Sequence, residues 1–151
     1  MCPCHDPSWN FYPETILEFE TESGQLRIDL RDTIPASVAD HVARLGPGIS
    51  FAIITSDNPY GRERPDSDNA QSRLRLAAEL TRYGVHCRPV DGVSPDHAHR
   101  ESGFAIWMDV SAARMLAQVY GQSAFFWFDG VRFYIEGALV NVPRQKLPIR
   151  S

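Results

Sequence analysis

Apolar and polar positions fall into blocks along this chain, and the block from Phe51 to Gly61, FAIITSDNPYG, changes character most abruptly. Its first half is a continuous β-type apolar run, the pattern of a strand buried on both faces. Its second half, from Thr55 through Asp57 and Asn58 to Pro59, must leave the sheet as an irregular loop. Upstream, Thr15–Glu20 and Gln25–Leu30 alternate with a period of two around Glu22, Ser23 and Gly24, which predicts a β-hairpin. Pro35–Leu45 carries Val38, Val42 and Leu45 at helical spacing and is stopped by Gly46-Pro47-Gly48, so a short amphipathic helix is expected.

Downstream, Asp66 or Ser67 can cap a long helix with Ala70, Leu74, Ala77, Leu80 and Tyr83 on its apolar side and Gly84 at its end. Val85–Val90 and Phe104–Met108 read as strands separated by a polar loop. Ser111 then caps a helix with Ala112, Met115, Leu116, Val119 and Tyr120 inward. Ala124–Phe128 and Val131–Ile135 flank Asp129-Gly130, the signature of a two-residue hairpin turn. Residues 1–12 read as an irregular arm, 13–136 as a single domain and 137–151 as a C-terminal tail, loosely held from Asn141 onward.

From residue 49 to 128 the order is strand, helix, strand, strand, helix, strand. This predicts an α+β fold, a two-layer sandwich whose mixed or antiparallel sheet has a ferredoxin-like split βαβ core, with the N-terminal hairpin, a short helix and a C-terminal hairpin strand added. In that topology Thr55–Asn58, the 91–103 link, the start of the long helix at Asn69 and Gly121–Ser123 all reach one rim. Four polar segments distant in sequence would then line a shared site. The plainer reading is that Asn58, Asn69 and Gln122 only satisfy backbone groups in turns.

Composition narrows the classes. A chain of 151 residues, 43% hydrophobic and 23% charged, can bury a core without metal or disulfide staples. A net charge of −4 with five His neutral disfavours a broad nucleic-acid surface. Arg62, Arg64, Arg73, Arg75 and Arg82 are interleaved with Glu63, Asp66, Asp68 and Glu79, which favours a solvated face. No apolar run approaches the ~18 residues of a membrane span and no signal peptide opens the chain, so a cytoplasmic location is expected. Three cysteines, an odd number, fit reduced thiols.

Candidate chemistry centres on Asp96-His97-Ala98-His99-Arg100-Glu101. Were 97–101 extended, His97, His99 and Glu101 would project to one side and offer a zinc or iron site; a solvated loop with incidental histidines is the alternative, and no cofactor is otherwise predicted. Without metal, Glu101 is the candidate general base and Asp57 the alternative carboxylate, with Thr55, Asn58, Asn69, Gln122 and His99 as ligand-binding groups. Cys2, Cys4 and His5 form a C-x-C-H cluster that could take a soft metal with Cys87 or His86, against a fraying terminus. Cys87 reads as a small buried hydrophobe. Tyr60, Trp107, Trp127 and Tyr134 could stack on a flat ligand but read first as core. No phosphate-loop, dinucleotide, nucleophile-elbow or C-x-x-C motif is present.

Taken together, Thr55, Asn58-Pro59, Asn69, Gly92, Pro95-Asp96, Glu101 and the run Gly121, Gln122, Ala124, Trp127 resemble the bacterial domain of unknown function 3293 family, over about Thr15 to Ile135. The resemblance implies a site at Asn58, Glu101 and Gln122 without naming a reaction. Asp57 and His99 depart from the family's pattern, so a histidine metal site would not be a family trait. The expected function is binding or acid/base transformation of a small polar metabolite. The alternative is a non-catalytic interaction or regulatory module, pairing with a partner or with a second copy through an exposed edge strand of the C-terminal hairpin. A nuclease-like or RNA-binding use of His97, His99 and the arginines is disfavoured by charge.

Overall fold

The computed structural model describes residues 9–149. A 3-10 turn at Trp9–Glu14 leads into the predicted hairpin, β1 (Ile16–Thr21) and β2 (Gly24–Asp29). Then follow α1 (Ala36–Ala43), β3 (Phe51–Thr55), α2 (Asp66–Arg82), β4 (Cys87–Val93), β5 (Arg100–Ile106), α3 (Val110–Val119), β6 (Ala124–Phe128), β7 (Phe133–Gly137) and β8 (Gln145–Lys146). The fold is α+β. One eight-stranded sheet runs β2-β1-β4-β5-β3-β6-β7-β8, antiparallel at every pairing. No helix among the described residues is long and apolar enough to cross a membrane.

The continuous apolar run of β3 is explained by burial on both sides. Phe51 and Ile53 join a core with Leu17, Phe19, Val42, Phe128 and Phe133. Ala52 and Ile54 join a second core with Leu76, Leu80, Ala113 and Ala117. β3 pairs with β5, as the predicted topology requires, and both α2 and α3 pack against the second face. The sheet is not one layer of a two-layer sandwich, because α1 and the 3-10 turn help close a core on its other face. It is also curled into a half-barrel. Three strand spacings, about 14 Å on a flat sheet, separate β1 from β3, yet the Phe19 and Phe51 rings lie 6.2 Å apart on the concave side.

Several local expectations change. In α2 the buried row is Asn69, Ser72, Leu76 and Leu80, while Leu74 is 73% exposed and Tyr83 is also outside. The first turns of this helix rest on a polar loop, so its inward face is polar there and the apolar periodicity points to the wrong side. In α3 the cap is Asp109, whose carboxylate accepts from the Ala112 N–H at 2.8 Å, and the buried row is Ala113 and Ala117. Small residues let the helix sit close to the sheet; Met115 and Val119 remain exposed.

The C-terminal hairpin turns over four residues rather than two, pairing Phe128 with Phe133. Asp129 Oδ1 accepts from the N–H groups of Val131 and Arg132 and so stabilises the wider loop. Among the described residues the tail is held, not loose. β8 pairs with β7, and Leu147 and Pro148 are buried. The outer side of the hairpin is therefore covered at Tyr134 and Ile135, and among the described residues no strand pairs with the outer side of the six-residue β2.

Candidate functional site

The polar loop leaving β3 forms a rim with β5, the start of α2 and the turn before β6. Asn58 takes the left-handed conformation, φ 47° and ψ 60°, which asparagine tolerates better than most residues. Its N–H donates to Asn69 Oδ1 at 3.0 Å, and Asn69 Nδ2 returns a bond to Asn58 Oδ1 at 3.0 Å. Arg64 ties this pair to its surroundings: Nε donates to Asn69 Oδ1 at 2.6 Å, and Nη2 donates to the Ser56 carbonyl at 3.0 Å and to Ser72 Oγ at 2.6 Å. Gln122 Nε2 donates to the carbonyls of Asp57 and Tyr120 at 3.0 and 3.1 Å. Gly121 closes the rim. Its φ is +70°, and a Cβ there would stand 2.8 Å from Pro59 Cβ.

Asp57 sits at the centre, 3% exposed. Its Oδ2 accepts from Arg73 Nη1 at 2.9 Å and from the Ser102 N–H at 3.2 Å, while Oδ1 is buried with no partner among the described residues. Burial pushes its pKa above the ordinary 3.8, outweighing the opposing pull of Arg73. Thr55 Oγ1 donates to the Ser102 carbonyl at 2.8 Å and accepts from the Asp57 N–H at 3.0 Å. Asp57 thus joins three elements that are distant in sequence.

Of the residues singled out from sequence, the rim brings together Thr55, Asp57, Asn58, Asn69 and Gln122. Glu101 lies on β5 opposite Gly92. Strand alternation puts it on the side of Gly103 and Ala105, the concave face, whereas Ser102 is on the helix side. His97 and His99 lie elsewhere. His97 occupies a turn with φ 61°, not an extended strand, so the alternation that would align it with His99 and Glu101 is absent. Its Nε2 is 3.4 Å from Arg27 Nη2, and Asp96 Oδ1 is bound to Ser94 Oγ and to the Ala98 N–H. Among the described residues no group of three His, Cys, Asp or Glu side chains is placed to hold a metal ion.

Cys2, Cys4 and His5 lie outside the described residues. Cys87 is a half-buried free thiol whose pKa burial raises. Trp107 donates from Nε1 to the Gly48 carbonyl, Trp127 is core, and Tyr134 donates to Asp129; Tyr60 is exposed. Sequence reasoning missed Arg64, Ser72 and Arg73. A signal existed: stepping back from Leu80 and Leu76 by helical spacing reaches Ser72 and Asn69, polar residues on an inward stripe.

The rim and its neighbours can also be compared with known proteins. No curated protein and no solved structure matches the chain. The family described as Protein of unknown function (DUF3293) matches residues 54–125, from the end of β3 to the start of β6. Every rim residue from Thr55 to Gln122 falls within that span, so the rim lies in the part of the chain that is similar to this family.

Proposed function

We propose that the chain is a non-catalytic interaction module that accepts an extended segment on the free edge of β2, a second copy of the chain being the first partner to test. The observation that carries this reading is the combination of an unpaired edge with a groove beside it. The Leu30 N–H points inward to the Thr15 carbonyl at 3.0 Å. Alternation then turns the backbone groups of Gln25 and Arg27, and the N–H of Asp29, outward. Beside that edge runs a groove of about 270 Å³ lined by Ile28, Ile34, Pro35 and Val38, with Asp29 and Asp32. Backbone groups to extend the ladder and an apolar slot for alternate side chains are what strand addition requires. The charge of Arg27, which would discourage pairing, is answered by Glu18 at 3.3 Å.

The rim argues in the same direction. Its amides are bonded to its own loops, the arrangement of a structural clasp, and the burial of Asp57, which raises its pKa, leaves a substrate no approach to that carboxyl. In this proposal β3–α2–β4–β5–α3–β6 form a ferredoxin-like unit that the clasp locks, and the N-terminal hairpin supplies the docking edge. Gln25→Pro removes an outward N–H without touching the ladder to β1. In sedimentation velocity the wild type should approach twice the 17.0 kDa chain mass as concentration rises, and the folded proline variant should stay monomeric. A wild type monomeric throughout, or a dimer that survives the substitution, contradicts the proposal.

A further inference from the structure

We infer that the cavity between α3 and the segment following β7 is a binding site for a small molecule with a compact oxyanion group, carboxylate or phosphate, held by Arg114. This site lies toward the opposite end of the sheet from β2 and does not depend on the edge proposal. The cavity measures about 370 Å³, and its wall includes Arg114, Gln118, Glu136, Val140, Asn141 and Val142. That volume lies within the range of small-ligand pockets.

The electrostatics of the wall decide the ligand class. Glu136 is 4% exposed, and a carboxylate so buried must be paired. Arg114 Nη2 donates to its Oε2 at 3.0 Å, and Arg144 Nε donates to its Oε1. Two guanidiniums face one carboxylate. Arg144, which is also stacked on the Tyr134 ring at 4.9 Å, cancels the charge of Glu136, leaving the charge of Arg114 as the surplus at the cavity wall. Arg114 is held in place by a bond from Nε to the Gly137 carbonyl at 3.1 Å, and its Nη1 makes no bond to a described residue. Gln118 Nε2 is committed to the Ala138 carbonyl at 3.0 Å, and exposed Asn141 forms part of the same wall. A fixed guanidinium with a spare donor nitrogen, beside Val140 and Val142, suits an oxyanion carried on a short apolar body.

The test is an NMR titration of the labelled chain with sodium phosphate and, separately, sodium succinate, each against sodium chloride at equal ionic strength. The signals followed are the backbone amides of 137–142 and the Arg114 Nε–H. Saturable shifts with either probe beyond those of chloride support the site, and the probe that binds identifies the head group. Arg114→Gln should weaken binding about tenfold, the loss of one charged hydrogen bond. Asn141→Asp, at an exposed position that leaves the fold intact, should also weaken it by adding a like charge. Shifts no larger than those of chloride, or binding unchanged in Asn141→Asp, overturn the inference.

Discussion

Removing the Asn69 side chain is the sharpest probe of the rim. Asn69 is buried in the first turns of α2, and its amide makes three bonds: Oδ1 accepts from the Asn58 N–H and from Arg64 Nε, and Nδ2 donates to Asn58 Oδ1. Asn69→Ala leaves two part-buried donors without that acceptor, and Asn58 Oδ1 keeps only the Arg64 N–H at 3.3 Å. An unsatisfied buried polar group costs about 1–3 kcal/mol. Water can reach part of this half-exposed loop, so the expected total is about 2–4 kcal/mol. For a chain of this size each kcal/mol lowers Tm by about 2–4 °C. Thermal and urea unfolding followed by circular dichroism should show that loss. Asn69→Asp keeps the acceptor for Asn58 and Arg64, and its charge suits a helix start, so it should cost less than the alanine variant. A loss under about 0.5 kcal/mol for Asn69→Ala, the level of an ordinary surface change, or an aspartate as damaging as the alanine, would refute the clasp.

Other substitutions test neighbouring claims. Because burial raises the folded-state pKa of Asp57 above its ordinary 3.8, the native chain holds that proton more tightly than the unfolded one. Stability from this group is therefore full at low pH and lost as pH rises from about 3.8 through the raised value; in urea unfolding across that range the stability of the wild type relative to Asp57→Asn should fall as pH rises. Leu76→Ala should cost about 2–5 kcal/mol and Leu74→Ala under about 0.5 kcal/mol in the same assay, since Leu76 is in the core and Leu74 is outside. Gly121→Ala should lower Tm through the loss of about 1–2 kcal/mol at a left-handed position, with a further cost from the contact with Pro59.

The hairpin, α1, the central strand and the adjacency of β3 and β5 were legible in the sequence because alternation, helical spacing and breakers all agreed there. The inward faces of α2 and α3 were not. Periodicity assumes that burial is apolar and large, whereas α2 buries Asn69 and Ser72 against a polar loop and α3 buries alanines for close approach. The curl of the sheet was invisible because it arises from contacts such as Phe19 with Phe51, which sequence spacing does not encode. β8 was missed because a two-residue strand leaves no alternation to detect. At the rim, Asn58, Asn69 and Gln122 were identified by residue type and topology. Arg64 and Arg73 were hidden in a stretch whose mixed charges read as a solvated face.

Amide hydrogen exchange along β2, followed by NMR at low and high chain concentration, bears most directly on the interaction reading. The N–H groups of Gln25, Arg27 and Asp29 should exchange freely when dilute and become protected as concentration rises, while Leu26 and Ile28 stay protected throughout. Free exchange at 25, 27 and 29 at every concentration, in a chain that nevertheless self-associates, would place the interface elsewhere and contradict the account.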